Sequence, residues 1–359
     1  MPLLARMLAA PLHVEISAGA LDEVPRLVID GRISSDGRFA LVVGPGVGRE
    51  VVGRIGAHLP CEDVFVVDND RIDTALALAD GIRARRVDVV VAVGGGRTLD
   101  VAKVASSRLG LPMVSVATSL AHDGVASPVA VLSVDGVRAS FGVAMPVAVV
   151  VDLELVMRSP ERMLRAGIGD VVSNASALAD WRLAHEVRGE AIDGLAASFA
   201  GTAAQAVLEQ HAPSNSPRFL VCLAEALVLS GLAMAVAGSS RPCSGACHEI
   251  SHALDELHPG LASHGEQVAV GALFASVLRG DDVTARSLAQ CMRRYGLPRT
   301  AGELGLDDEA FLAAVRHAPS TRPERYTVLE HFDPSDEEIR DVLAVMAMLH
   351  RDRPAVLSG

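Results

Sequence analysis

The chain is predicted to hold an α/β domain followed by an all-helical domain. Three observations carry this. Short β-branched runs alternate with helical stretches from His13 to Asp152, the order expected of a doubly wound α/β domain. The run Val87–Val93 is apolar except for Asp88, as suits a strand of a parallel sheet covered on both faces. From about Leu153 onward strand signals stop and helical ones fill the chain. With 359 residues, two domains are the default, and the boundary is placed there: 1–153 and 154–359.

In order, His13–Ile16 reads as a short strand before a helix, and Arg38–Val43 as a strand followed by the glycine-rich turn Gly44–Gly48. Val64–Val67 is a further strand, ending in Asp68-Asn69-Asp70. An acid at such a strand end holds a ribose hydroxyl in many nucleotide sites, and a solvated loop is an equal alternative. Ile72–Arg85 is helical in pattern. After Val87–Val93 come Gly94, Gly95, Gly96, Arg97, Thr98, Leu99 and Asp100, then a helix, VAKVASSRL. Strand, glycines and helix in this order let backbone N–H groups face a pyrophosphate at a helix N-terminus; the bland alternative is a plain tight turn. Pro112–Ala117 is a strand leading into the small, polar loop Thr118–Pro128, and Ala130–Val134 and Ala148–Asp152 are the remaining strands.

Helices are expected at Arg165–Leu183, Glu190–Leu208, Phe219–Ala237, Ser244–Leu257, Gln267–Leu278, Val283–Tyr295 and Asp307–Arg316. Leu220–Gly238 is nearly long enough to span a bilayer, but Glu225, Ser230 and Gly231 interrupt it, and a buried helix is the expectation. The stretch Ser239–Gln267 concentrates chemistry: His248, His252, His258 and His264, with Glu249, Asp255 and Glu266 among them.

His248-Glu249-Ile250-Ser251-His252 matches the zinc-protease pattern H-E-x-x-H, with His258 where a longer motif has its third His. That longer motif needs Gly where this chain has Asp255, and it leaves the glycine turn of the first half without a role. A zinc metalloprotease is therefore a remote alternative.

Composition narrows the class. Net charge is −12 with no Lys/Arg run, which argues against a nucleic-acid partner. The five cysteines, Cys61, Cys222, Cys243, Cys247 and Cys291, are odd in number and scattered, so reduced thiols in the cytoplasm are expected. The start, MPLLARMLAAPLHVEIS, lacks a clear charged region and a long apolar one, and no signal peptide or membrane insertion is expected.

Six segments in this order, GGGRTLDVAK, TSLAHDGVASP, AGIGDVVSNASALADWRLA, SSRPCSGACHEISHALD, HGEQVAVG and RYTVLE, resemble the sn-glycerol-1-phosphate dehydrogenases, a branch of the iron-containing alcohol dehydrogenase and dehydroquinate synthase superfamily. The resemblance runs along nearly the whole chain. It implies a Rossmann-like cofactor domain and an all-α domain of dehydroquinate synthase type. It implies NAD or NADP at the turn Gly94, Gly95, Gly96, Arg97, Thr98 and Asp100 and at Thr118, Ser119, Ala121 and Ser127. It implies a divalent metal, usually zinc, held by Asp170, His248 and His264; a helix N-cap is the bland alternative for Asp170. It implies that His252 passes a proton at the reacting oxygen and that Asp123 binds substrate. The reaction implied is hydride transfer from the nicotinamide to C2 of dihydroxyacetone phosphate, polarised by the metal. A homo-oligomer is expected by analogy. Arg241 is a candidate for the substrate phosphate.

Two departures from the family pattern widen the substrate question. The family usually has an acid just before its first metal His, where this chain has Cys247, and its usual TAASHDG is here TSLAHDG. A dehydrogenase of another phosphorylated or phosphonate-bearing carbonyl is the alternative. Cys247 itself is expected to face away from the metal, because adjacent helical residues do not share a face. A synthase is disfavoured by the lack of Lys or Arg after Asp170 until Arg182. A metal-bearing binding protein would need a dead cofactor turn.

Overall fold

A computed structural model describes residues 10–351. Residues 1–9, most of the apolar start judged not to be a signal peptide, lie outside the described part, as do 352–359. In chain order the first half runs β1 (His13–Ser17), α1 (Val24–Val28), β2 (Phe39–Val43), α2 (Gly48–Gly56), β3 (Asp63–Val66), α3 (Ile72–Arg83), β4 (Val89–Gly94), α4 (Gly96–Leu109), β5 (Met113–Ala117), β6 (Val129–Val134), β7 (Val137–Gly142) and β8 (Ala148–Asp152). Then follow α5 (Leu153–Met157), α6 (Glu161–Arg188), α7 (Gly194–Leu208), α8 (Pro217–Ala237), α9 (Ala246–Leu257), α10 (His264–Leu278), α11 (Asp282–Arg294), α12 (Ala301–Leu304), α13 (Asp308–Thr321), α14 (Val328–Phe332) and α15 (Asp336–Arg351).

Six strands form one parallel sheet in the order β1-β8-β5-β4-β2-β3. Its central strands β2, β4, β5 and β8 are buried throughout, which is why they read as unbroken apolar runs rather than alternations. The chain leaves β2 toward β3 on one side, then returns through β4 to β5 on the other. The sheet therefore reverses its winding between β2 and β4, and the crevice at the carboxyl ends of those two strands is where such folds take a nucleotide. Gly44–Gly46 follows β2 and Gly94–Gly96 follows β4, so both glycine turns sit at that point.

The alternating run Val137–Gly142, absent from the expected strands, pairs antiparallel with β6 as a separate two-stranded sheet. Its turn residues Asp135 and Gly136 both have positive φ, 52° and 85°, the backbone that an Asp-Gly hairpin turn supplies. Helices α4 and α10 start earlier than expected, at Gly96 and His264. Five helices, α2, α5, α12, α14 and α15, lie outside the expected ones.

By contacts the chain forms two compact units: one of residues up to Gly167 with Ala212–Ser239, the other of Ile168–His211 with Ser240 onward. The sequence boundary at 153 falls where β8 ends. The contact boundary lies fourteen residues later, inside α6, and α8 joins the first unit. Helix α8 is long and apolar enough to cross a membrane by length and composition, with 61% of its apolar window buried inside the molecule. Part of that burial is intimate: a Cβ on Gly231 would lie 2.8 Å from the backbone of Ala126 and Ser127. Only glycine allows that approach.

Candidate active site

In the first unit the turn after β4 is built by close approach. A Cβ on Gly94 would lie 2.6 Å from the Thr98 side chain, one on Gly95 2.9 Å from Ser119 Oγ, and one on Gly96 1.9 Å from His122 Nε2. The glycines thus do two things: they expose the backbone and they admit the 118–122 loop. Thr118 N donates to Gly94 O at 3.0 Å, fixing that loop to the turn. Helix α4 begins at Gly96, and its N-cap Gly95 supplies no side-chain cap. No side chain takes the cap hydrogen bond at this helix start, so its first N–H groups are available to a pyrophosphate. The donor set fits a dinucleotide there.

Arg97 is exposed and reaches from the turn to the carbonyl of Asp68, 3.2 Å away, at the end of β3. Asp68 itself accepts from Asn69 at 2.7 Å. Asp100 is not on the turn's open face. It is buried, pairs with the fully buried Lys103 at 2.8 Å and accepts from Val131 N. That makes it a tie between α4 and β6. Asp123 opens a short helical turn beside this pair. Burial raises its carboxyl, and the charges of His122 and Lys103 oppose the rise. Ser127 is buried and donates to Val129 O at 3.2 Å, while Thr118 and Ala121 are half-buried.

In the second unit the side chains of Asp170, His248 and His264 come together. One ligand atom from each lies within 4.8 Å of the others, the only such group among the described residues. Both Nε2 atoms face Asp170 Oδ1, His248 at 4.0 Å and His264 at 3.9 Å. One carboxylate and two imidazoles converging like this fit a divalent cation such as zinc and leave a coordination position open.

The convergence has a backbone cause. A Cβ on Gly169 would lie 2.0 Å from Gly265 O, and one on Gly271 2.8 Å from Cys247 O. Glycines therefore let α6 and α9 each press against α10, bringing one ligand from each of three helices to a point. Asp170 lies well inside α6, so the N-cap alternative does not apply. The start of α9 is instead capped from outside: buried Asp180 accepts from Ala246 N at 2.9 Å, from Val328 N at 3.0 Å and from Arg279 at 2.5 Å. A Cβ at the N-cap Gly245 would meet Asp180 Oδ2 at 2.4 Å.

The outer nitrogens of both imidazoles are also held. Gln267 Nε2 donates to Asp255 Oδ1 (3.0 Å), which turns the Gln267 carbonyl toward Ser251, and the Ser251 hydroxyl donates to it at 2.7 Å. Ser251 Oγ then accepts from His264 Nδ1 at 3.1 Å. The proton of His264 is thereby kept on Nδ1, and the Nε2 lone pair points at Asp170. For His248 the partner is Cys247, whose Sγ lies 3.3 Å from Nδ1. Cys247 does not point into the ligand cluster, as expected, but it touches the ligand's far side, in the place the family gives to an acid. Burial pushes its thiol up to about 12, so it is a neutral partner. Burial, then the charges of His264 and His252, hold His248 well below the ordinary histidine range, the neutral form a metal needs.

His252 follows one turn later, and Arg322 Nε approaches its Nδ1 at 3.4 Å. A guanidinium never yields that proton, so Nδ1 accepts and the ring hydrogen sits on Nε2. Glu249 is fully buried, with Oε2 3.0 Å from the Thr327 hydroxyl, and burial with the Glu330 charge pushes its carboxyl up to about 9. A protease would need this group ionised and at the metal. The three-ligand cluster also takes His264 rather than His252. Arg241 is corrected too: it is gripped by both Glu190 oxygens (2.8 and 2.9 Å) and by the Tyr326 carbonyl (2.6 Å), a brace rather than a phosphate donor. Sequence reasoning missed Asp180, Ser251, Gln267 and Arg322. The Asp255 that spoils the protease motif was the one visible hint of the relay.

The family model for iron-containing alcohol dehydrogenases matches residues 15–160. Glycerol-1-phosphate dehydrogenase [NAD(P)+] of Hyperthermus butylicus is 38% identical over 89% of this chain and 92% of its own. The enzyme of the same name from Archaeoglobus fulgidus is 36% identical over 93% and 96%. Among solved structures, a probable glycerol dehydrogenase from Sinorhizobium meliloti superposes with a TM-score of 0.77 at 24% identity, covering 97% of this chain and 99% of that one. Sulfoacetaldehyde reductase from Bifidobacterium kashiwanohense, solved with NAD+, gives 0.73 at 18%, covering 98% and 100%. Those two likenesses concern the fold. The sequence relatives decide the family, and the chain belongs to the glycerol-1-phosphate dehydrogenases, within the iron-containing alcohol dehydrogenases.

Proposed function

We propose that this protein reduces dihydroxyacetone phosphate to sn-glycerol 1-phosphate, reversibly, using NADH or NADPH and a divalent cation held by Asp170, His248 and His264. The observation that carries the reading is that ligand cluster, in a chain aligned over nine-tenths of its length with enzymes named for this reaction. When bound, the nicotinamide supplies the hydride and the cation polarises the carbonyl. The rest is the work of side chains. Ser251 and Cys247 hold the outer nitrogens of His264 and His248 and so orient the two rings. His252, its hydrogen directed to Nε2 by Arg322, donates a hydrogen bond to the oxygen at C2, and water beside it supplies the proton. The β4–α4 turn, with Thr118, Ser119 and Ala121, seats the cofactor.

Within this reading, residues 1–153 hold the cofactor and 154–359 the metal and substrate. The chain acts in the cytoplasm as a homo-oligomer; no disulfide joins its five cysteines, which suits a reducing compartment. Cys247 beside His248 favours one second reading, a related phosphorylated or phosphonate-bearing carbonyl. The test is NADH and NADPH oxidation by zinc-loaded protein, with and without dihydroxyacetone phosphate. Oxidation that needs the substrate and stops with a chelator is the expected result. Cofactor binding with no such oxidation overturns the substrate.

A further inference from the structure

We infer that Arg322 and Arg325, with the Ser240 hydroxyl between them, hold the phosphate of the substrate. This rests on the substrate reading above and supplies what it lacks, a seat for the anion once Arg241 is bound to Glu190. Both arginines lie in the loop between α13 and α14 and are half-buried. Arg322 Nη1 and Arg325 Nη2 approach Ser240 Oγ at 3.3 and 3.1 Å. The remaining contacts found for them are the Ser244 carbonyl and the His252 ring. Among the described residues none of these partners is a carboxylate, although acids outnumber bases by twelve in the chain. Arg241, by contrast, has its acid.

Two like charges crowded into a half-buried loop with no carboxylate hydrogen-bonded to either guanidinium are costly; the charge of the neighbouring Glu324 offsets part of that cost, and a bound anion would offset the rest. The cost is visible: burial, then the Arg322 charge, pulls Arg325 down to about 10, still protonated at neutral pH. Phosphate is the matching anion, because planar guanidinium forks meet its oxygens in pairs.

The position fits the chemistry. Arg322 touches His252, which lies one helical turn, about 5.4 Å, beyond His248 on α9. A carbonyl at the metal ligands and a phosphate at the arginines would thus be separated by roughly the reach of a three-carbon ester. The loop is also held in shape before any ligand arrives. Arg325 N donates to Arg322 O at 2.9 Å, Thr327 caps α14, and Val328 N is bound by Asp180. Little ordering remains to be done on binding.

The experiment compares the metal-loaded wild type with Arg322→Ala, Arg325→Ala, Arg325→Lys and Ser240→Ala. It reads the ratio of kcat/KM for dihydroxyacetone phosphate to that for dihydroxyacetone, which has the same carbonyl and no phosphate. It also reads inorganic phosphate affinity by calorimetry. Each alanine at an arginine lowers the ratio about 100-fold and weakens inorganic phosphate to match; Ser240→Ala lowers it about tenfold, and Arg325→Lys falls between. A purely structural role lowers both substrates together and leaves the ratio unchanged, and that result overturns the inference. If an alanine variant does not fold, Arg325→Lys and Ser240→Ala carry the same test. If the wild type turns over no phosphorylated ketone, the substrate reading has failed and calorimetry decides the site alone. Inorganic phosphate bound by wild type and lost in Arg325→Ala keeps the anion site, whereas no binding to wild type removes it.

Discussion

The turn after β4 and the ligand cluster of the helical unit are made in opposite ways. The turn is one continuous stretch, Gly94–Asp100, whose N–H groups are set by strand, glycines and helix in succession. The cluster draws Asp170, His248 and His264 from three helices and depends on side chains behind them, Ser251, Gln267 and Asp255 for one imidazole and Cys247 for the other. A site made of backbone tolerates side-chain change and fails when space is filled. A site made of side chains fails by truncation, including truncation of residues that touch no ligand.

The largest effect should follow from Asp170→Ala. It removes the only carboxylate of the cluster and leaves two imidazoles. We expect bound metal to be lost and activity to fall by about 10³-fold or more, since polarising the carbonyl is worth several kcal/mol. His264→Ala should behave alike. Metal analysis beside turnover checks both, and full activity with metal retained would remove that residue from the ligand set.

Ser251→Ala sharpens the contrast, because Ser251 faces His264 from behind. With the relay cut, His264 Nδ1 loses its acceptor and the ring can swing. Metal affinity should drop about 10- to 100-fold, measured by chelator competition, with NADH affinity unmoved. An unchanged metal affinity would mean that the helices alone orient the ring.

These two tests also mark what could be read in the sequence. Strands buried on both faces show as unbroken apolar runs, so β2, β4, β5 and β8 were legible, and with them the cofactor turn. The β6–β7 hairpin is marked in the sequence by its turn dipeptide Asp135-Gly136. Asp170, His248 and His264 were legible only through family resemblance, because no periodicity links residues on separate helices. Asp180 and the Ser251 relay were not legible. Their partners lie 12 to 148 positions away, and a buried polar residue in a helix looks like any other until its neighbour is known. Arg241 misled for the same reason: Glu190, its partner, is 51 positions upstream.

At the turn, Gly96→Ala should matter more than Arg97→Ala, although arginine is the larger and charged side chain. The new methyl would sit 1.9 Å from His122 Nε2, and the His122 Nδ1 that accepts from Gly124 N at 2.9 Å resists the shift. We expect NADH affinity to fall about tenfold, with roughly 1–3 kcal/mol of stability lost to overpacking. Arg97→Ala, which removes an exposed contact to a carbonyl, should change NADH affinity about threefold or less. Fluorescence titration of both variants measures the difference, and the reverse order would turn the backbone argument over.

The smallest expected effect is that of Glu249→Gln. Glu249 sits beside a metal ligand in sequence, but on the helix it faces the buried Thr327 hydroxyl rather than the cluster. A carboxyl held neutral there is replaced by an amide of the same shape that still offers an oxygen to that hydroxyl. Turnover should stay within about threefold of wild type and metal content should be unchanged. The H-E-x-x-H motif makes the opposite demand: as general base, Glu249 could not become an amide without loss of all activity. Abolition of activity by this one change, together with cleavage of casein by the parent protein, would restore the protease reading and leave the cofactor turn unexplained.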